Sequence, residues 1–279
     1  MTQHFIVIGN PISHSKSPQI HQVFATQAHI DISYQRQYCP DNEASFVAVV
    51  EAFFHGGGVG ANVTVPFKQI AFAYCQTQGG LSEHARVAGA VNTLSIKDGA
   101  VYGDNTDGQG LVNHIIHLGW PLDGARVAII GAGGAARGVI LPLIQAGIGS
   151  LTLANRTLSK AQTLVAELSA ASQTIEQHSV KNGIATCLTS ELTGDFDLVI
   201  NATSIGLSEA SLPLAADLNS HYAYDMMYGR DLPFLQHFAQ RGAIVSDGYG
   251  MLINQAALSF ERWTGHQVEV IAATQTLSS

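Results

Sequence analysis

The residues with the plainest chemical purpose are a run of glycines. Gly131-Ala132-Gly133-Gly134-Ala135-Ala136 follows directly on the apolar, β-branched run Arg126 to Ile130 and leads into a helical pattern from about Ala135 to Gln145. Strand, glycine turn and helix in that order are the context of a dinucleotide fingerprint. Gly131 permits the tight turn, Gly133 lets backbone approach a pyrophosphate, and Ala136 keeps the helix close to the strand. Free N–H groups at the helix start then face phosphate oxygens. The alternative is a glycine-rich turn in some other α/β unit, and both flanks argue against it. The next strand, Ser150 to Ala154, ends in Asn155-Arg156-Thr157, followed by Lys160. An NAD site has Asp or Glu there to hold the ribose 2′-hydroxyl. Here a carboxylate is missing and two cations are present. Arg pairs with a 2′-phosphate in bidentate fashion, so the residues point to NADP. The competing reading is that Arg156 begins a solvated helix with Thr157 as its N-cap.

Four further segments carry more polar chemistry than packing asks for. In Asn10-Pro11-Ile12-Ser13-His14-Ser15-Lys16-Ser17-Pro18, small hydroxyls stand between a strand and a helix start, a place suited to an anion. Ser15 and Ser17 could both donate to a carboxylate; alternatively Ser17 only caps the helix. In Asn62-Val63-Thr64-Val65-Pro66-Phe67-Lys68, Asn62 and Thr64 alternate with valines, and Lys68 falls in the first turn of the next helix. A cation there opposes the helix dipole, so Lys68 needs a reason other than helix stability. Gly89-Ala90-Val91-Asn92-Thr93 and Gly103-Asp104-Asn105-Thr106-Asp107-Gly108 are the other two. Asp107 is also explicable as favourable charge in a first helical turn.

Elements must hold these residues in place. Strands are expected at Phe5 to Ile8, Ile32 to Tyr38, Gly60 to Val63, Leu151 to Ala154, Thr174 to Gln177, Asp197 to Asn201, Tyr222 to Met226 and Ala243 to Val245. A hairpin over Leu94 to Tyr102 turns at Asp98-Gly99. Helices are expected from Ser17, an N-cap followed by Pro18 at the first helical position, to about His29, and from Asn42 to Phe54. Others run from Pro66 to about Cys75, from a Thr106 cap to Leu118, from Leu158 to Ala170, from Pro233 to Gln240, and from about Met251 to Trp263. Repeated βα units imply parallel sheets covered on both faces. The fingerprint begins near mid-chain, so a complete α/β unit precedes it. The fold class is therefore α/β with two domains, a substrate domain first and a Rossmann-type nucleotide domain second.

Composition narrows the function classes. The 279 residues suffice for two domains. The chain is 46% hydrophobic, yet it has no apolar run long enough to span a bilayer. Met1-Thr2-Gln3-His4 leads straight into a strand, leaving no room for a signal peptide. Cys39, Cys75 and Cys187 are odd in number and far apart, which fits a reducing cytoplasm. Thirteen basic and 21 acidic side chains give a net charge of −8, against a nucleic-acid partner. An anionic substrate consequently needs a local positive site. The 12 histidines are scattered, and His114 and His117 lack an acidic or thiol companion, so no metal is expected.

NPISHSKSP, NVTVPFK, GAVNT, GDNTDG, GAGGAAR, NRT, NATSIGL, YDMMY and DGYGMLINQA occur in one order from residue 9 to about 257. In that combination the chain resembles the shikimate dehydrogenase family. The resemblance implies reduction of 3-dehydroshikimate to shikimate with NADPH, in the route to aromatic amino acids. It implies Lys68 and Asp107 as the catalytic pair. It implies Ser15, Ser17, Thr64, Asn92, Asp107, Tyr228 and Gln255 as substrate contacts. For the cofactor it implies Gly131, Ala132, Gly133, Gly134, Ala135, Asn155, Arg156, Thr157, Lys160, Met226 and Gly248. It also returns the last helix to the first domain, giving 1–106 with 248–279 for substrate and 107–247 for NADP. A monomer or homodimer with no membrane partner is expected. One departure is Gly229-Arg230-Asp231-Leu232 after Tyr228, which looks about one residue shorter than in some relatives and touches the loop near Tyr228. The competing readings are a quinate/shikimate dehydrogenase, which the missing acid after Ala154 disfavours, and a non-catalytic binding protein, which the presence of Lys68 and Asp107 disfavours.

Overall fold

The computed structural model describes residues 1–203 and 214–278. The chain divides into two compact units, Met1–Gly110 with Leu252–Ser279, and Leu111–Met251. None of the described helices is long and apolar enough to cross a membrane.

The first unit runs β1 (Gln3–Gly9), α1 (Ser17–Ala28), β2 (Ile32–Tyr38), α2 (Glu43–His55), β3 (Gly60–Val63), α3 (Lys68–Thr77), α4 (Glu83–Ala88), β4 (Thr93–Lys97) and β5 (Ala100–Asp104). Helix α5 (Asp107–His117) leads out of it. Its sheet has the order β2-β1-β3-β4-β5. Strands β2, β1 and β3 are parallel, β4 runs against β3 and β5 runs against β4, with Val7 opposite Asn62 and Asn62 opposite Thr93. This mixed order brings the C-terminal ends of β1, β3 and β5 and the start of β4 to one edge of the sheet. Ile6, Ile8, Phe46, Val50, Ala61, Val63, Phe67 and Leu94 form the core beneath.

The second unit runs β6 (Arg126–Ile130), α6 (Gly134–Gln145), β7 (Ser150–Asn155), α7 (Leu158–Ala171), α8 (Gln173–Asn182), β8 (Ile184–Leu188), a short 3₁₀ turn (Thr189–Glu191), β9 (Gly194–Asn201), β10 (Leu218–Asp225), α9 (Pro233–Ala239) and β11 (Ile244–Ser246). Its six strands are all parallel, in the order β11-β10-β9-β6-β7-β8. That is the doubly wound Rossmann order, whose direction reverses between β6 and β9, where ligands bind. The chain then enters α10 (Tyr249–Thr264) and α11 (Val270–Ser278), and the segment from Leu252 rejoins the first unit. Trp263 lies over Gly60, where a Cβ would fall 2.3 Å from the indole, and its Nε1 donates to the Leu94 carbonyl at 3.0 Å.

Several expectations change. Thr174 to Gln177 is helical, within α8, and the strand comes later at Ile184–Leu188. The β-branched pair Thr174-Ile175 suggested a strand, but Ser172, Ile175 and His178 are the buried positions, a spacing of three that only a helix presents on one face. Ser17 is the first residue of α1, not its cap. Its N–H donates to Ser15 Oγ at 3.3 Å, and the Ser15 hydroxyl donates to Ser17 Oγ at 3.2 Å. Pro66 sits in the turn before α3, closed by Phe67 N–H to the Thr64 carbonyl at 3.0 Å, and the helix starts at Lys68. Thr106 precedes α5 as expected, and its carbonyl accepts from Gly110 N–H at 2.9 Å, but its hydroxyl points into a buried network rather than capping. Helices α4 and α11 and strand β8 carried no expectation. Residues 204–207 of the NATSIGL motif lie outside the described residues.

Candidate active site

In the first unit the polar residues expected to meet a substrate collect at one end of the sheet. Lys68 opens α3 and Asp107 opens α5, and Lys68 Nζ stands 2.6 Å from Asp107 Oδ2. The ion pair is the reason for a cation at a helix N-terminus, and both side chains keep about a quarter to a third of their surface open, at 30% and 26%. Asn92 donates to the other carboxylate oxygen, Oδ1, at 2.9 Å, and also to Thr106 Oγ1 at 2.9 Å and Gln255 Oε1 at 3.3 Å. Its own carbonyl oxygen accepts from Thr106 N–H at 2.9 Å and Thr93 Oγ1 at 2.8 Å. Thr93 Oγ1 is 2.7 Å from Ser259 Oγ, and Asn62 Nδ2 donates to Ser259 Oγ at 3.1 Å. Tyr34 OH closes the chain by donating to Asn62 Oδ1 at 2.7 Å. Asn62, Asn92, Thr93, Thr106 and Ser259 are all buried. A fully satisfied buried network fixes its members' rotamers, so Asp107 and through it Lys68 are held in one orientation.

Behind this network His21 stacks on Tyr34 at 4.3 Å between ring centroids. Desolvation drives the His21 pKa down to about 3, outweighing the nearby Asn62 side chain, so the ring is neutral. Burial likewise pushes the Tyr34 hydroxyl up, and the phenol stays a donor. Ser15 Oγ lies 3.2 Å from Ser17 Oγ in the turn after β1. That turn is tied to the one after β3 by Asn10 N–H to the Val65 carbonyl at 3.0 Å, and Thr64 packs against Gly9. Lys68, Asn92, Asp107 and Gln255 are therefore one hydrogen-bonded group, Ser15 and Ser17 a second, and Thr64 stands at the neighbouring strand end. Tyr228 belongs to the second unit.

In the second unit the glycine turn closes as the sequence requires. Gly131 has φ +112°, and a Cβ there would meet Thr203 Cγ2 at 2.9 Å and the Ala202 carbonyl at 3.1 Å. At Gly133 and Gly134 a Cβ would meet nothing within 4 Å, so open space lies before the N-terminus of α6. Ala132 and Ala135 complete the turn and the first helical residues. This cradle fits a pyrophosphate held by backbone N–H groups. At the end of β7, Asn155 Nδ2 donates to the Thr157 carbonyl at 2.9 Å. Arg156, Thr157 and Lys160 are exposed, and among the described residues neither cation pairs with a carboxylate. At the end of β10, Asp225 is buried and accepts from Asn201 Nδ2 at 2.8 Å and Met227 N–H at 2.9 Å. Burial is the main cause that raises its pKa. Gly248 N–H donates to the Met227 carbonyl at 2.9 Å, and a Cβ on Gly248 would lie 2.2 Å from the Met226 carbonyl oxygen. Only glycine allows that approach. Met226, Gly248 and the Tyr228–Tyr249 ring pair, 5.8 Å between centroids, thus share the strand ends. Tyr228 is 36% exposed, and burial of its remainder raises its hydroxyl pKa.

Sequence reading gave no role to Tyr34 or Ser259, and it placed Thr93 and Thr106 in polar segments without assigning their hydroxyls. Nothing local marks Tyr34 and Ser259, because each acts through a partner brought in by the sheet or by α10.

Three family models match the chain: the shikimate dehydrogenase substrate binding domain over residues 7–94, shikimate/quinate 5-dehydrogenase over 112–206, and the shikimate 5′-dehydrogenase C-terminal domain over 248–276. A protein named shikimate dehydrogenase (NADP(+)) from Psychrobacter cryohalolentis is 68% identical, covering 100% of this chain and 99% of its own. Among solved structures, an Ael1 enzyme from Pseudomonas putida is 37% identical with a TM-score of 0.89, covering 99% of this chain and 98% of its own. Shikimate 5-dehydrogenase from Thermus thermophilus, in complex with NADP(H) and shikimate, is 29% identical with a TM-score of 0.83, covering 99% and 98%. Motifs, strand order, the Lys68–Asp107 pair and these matches agree over nearly the whole length, and the chain belongs to the shikimate dehydrogenase family.

Proposed function

We propose that this protein is an NADP-dependent oxidoreductase that interconverts 3-dehydroshikimate and shikimate, in the route to aromatic amino acids. The observation that carries the reading is the Lys68 Nζ–Asp107 Oδ2 contact of 2.6 Å, set among buried amides and hydroxyls. The Gly131 to Ala135 turn, Asn155 to Lys160, Met226 and Gly248 would hold NADP, which would supply the hydride chemistry. The chain must then manage one proton. Lys68 donates from its ammonium to the ketone oxygen as negative charge develops there. Asp107 orients that ammonium, while Asn92 keeps the carboxylate from rotating. Ser15 and Ser17 hold the substrate carboxylate, and Thr64 and Gln255 position its hydroxyls. In the oxidative direction Lys68 takes the alcohol proton. We assign the substrate to the first unit and NADP to the second, and place the enzyme in the reducing cytoplasm on the strength of three free cysteines.

The test is absorbance in the nicotinamide band with shikimate or quinate, each offered NADP or NAD. Turnover of shikimate with NADP well above the other three combinations is expected. Quinate turnover with NAD exceeding it would refute the assignment.

A further inference from the structure

The carboxylate site proposed above consists of two neutral hydroxyls in a chain with a net charge of −8. Helix α1 has no acidic residue in its first turn, and a cation reaches the site from the edge strand β2. Arg36 Nε and Nη2 both donate to the Ser15 carbonyl oxygen, at 2.9 and 2.6 Å, and Nη2 also reaches Gln19 Oε1 at 3.3 Å. Two donors of a rigid planar fork on one carbonyl fix the peptide that carries the Ser15–Ser17 turn. Among the described residues no carboxylate pairs with this guanidinium. Its charge is therefore not cancelled locally, unlike that of Lys68, which Asp107 neutralises.

We propose that Arg36 is a positioning and specificity residue for the substrate carboxylate. It pins the turn that presents Ser15 and Ser17, and it supplies the positive potential that the hydroxyls lack. The enzyme thereby prefers an anionic cyclohexene acid to its neutral ester. This inference rests on the assignment of Ser15 and Ser17 to the carboxylate.

The experiment compares Arg36→Gln, Arg36→Lys and the double variant Ser15→Ala/Ser17→Ala, each checked for native circular dichroism. KM and kcat for shikimate are measured at low and high salt, and shikimate methyl ester is titrated as a competitive inhibitor. Arg36→Gln is expected to raise KM for shikimate about tenfold, the worth of one charge-assisted interaction. The kcat and the KM for NADP should stay nearly unchanged, and the ester's inhibition constant should move little. The salt dependence of KM should flatten, because screening acts only on a charge that is present. Arg36→Lys should keep the salt dependence and fall between wild type and Arg36→Gln. An unchanged KM in Arg36→Gln, with the serine variant impaired, overturns this proposal alone. An equal loss for acid and ester also overturns it, since Arg36 would then only hold the turn. If the serine variant binds shikimate normally, the carboxylate assignment fails, and this inference falls with it.

Discussion

Replacing Asn92 by Ala removes a side chain that is 2% exposed and bonds to Asp107, Thr106, Gln255 and Thr93. Two of the losses lack a ready substitute. Thr106 N–H loses its acceptor at 2.9 Å in a buried position, and an orphaned buried donor costs about 1–3 kcal/mol. Asp107 Oδ1 loses a charge-assisted bond, about 1.5–3 kcal/mol. Thr93 keeps Ser259 at 2.7 Å, so its share is small. The sum is about 2.5–6 kcal/mol, a large part of a typical stability of about 5–15 kcal/mol. Catalysis should suffer separately. With one oxygen unanchored, Asp107 swings and takes Lys68 with it, and a misplacement of about 1 Å can cost roughly a hundredfold in rate. Urea unfolding and kcat for shikimate oxidation are the assays, applied to Asn92→Ala, Asp107→Asn and the double variant. The double-mutant cycle should show a coupling of at least about 1 kcal/mol. Stability effects that add within about 0.5 kcal/mol would show that the 2.9 Å contact carries no energy and would refute the positioning role of Asn92.

Lys68→Ala should lower kcat by ~10²–10⁴-fold with a much smaller change in KM, since acid–base help is worth that much; wild-type turnover in a folded variant removes Lys68 from the mechanism. Arg156→Ala should weaken NADP tenfold or more, by roughly one charge-assisted bond, and leave NAD nearly untouched. Asn155→Asp should narrow the preference further, and an unchanged NADP/NAD ratio of kcat/KM in Arg156→Ala would place specificity elsewhere. His21, neutral when folded with a pKa of about 3, gains a proton on unfolding below its ordinary value of 6.5. The unfolded state then binds more protons, so stability should fall by a few kcal/mol as pH drops from about 6.5 to about 3. His21→Phe, which keeps the stack on Tyr34, should flatten that slope in urea titrations; a persistent slope assigns it to other groups.

The parts of this fold that were legible are those written in local pattern. Arg126 to Ile130 followed by glycines announces a strand and a phosphate turn, and a lysine opposing the dipole of α3 announces a partner. Thr174-Ile175 misled because two β-branched residues outweighed a three-residue burial spacing that becomes visible only with Ser172 and His178. Ser17 and Thr106 misled in another way. Both stand at helix starts, where a hydroxyl usually caps, yet the Ser17 hydroxyl meets Ser15 two positions back, and the Thr106 hydroxyl is claimed by Asn92 and Gln255, which folding brings in. Ser259 could not be singled out at all. Its partners Asn62 and Thr93 are 197 and 166 positions away.

That separation has a consequence for synthesis. Helix α10 supplies Gln255 to Asn92 and Ser259 to Thr93, covers Gly60 with Trp263, and sets Arg262 Nη1 2.6 Å from Asp104 Oδ2. A nascent chain that has emerged only through residue 251 already holds Lys68, Asp107 and the entire sheet of the second unit. It lacks the last wall of its own first unit, and the Asn92 amide waits without one of its acceptors. Synthesis halted at residue 251 therefore leaves Asn62, Asn92 and Thr93 short of the partners that α10 brings, and the polar group of the first unit closes only when that helix joins it.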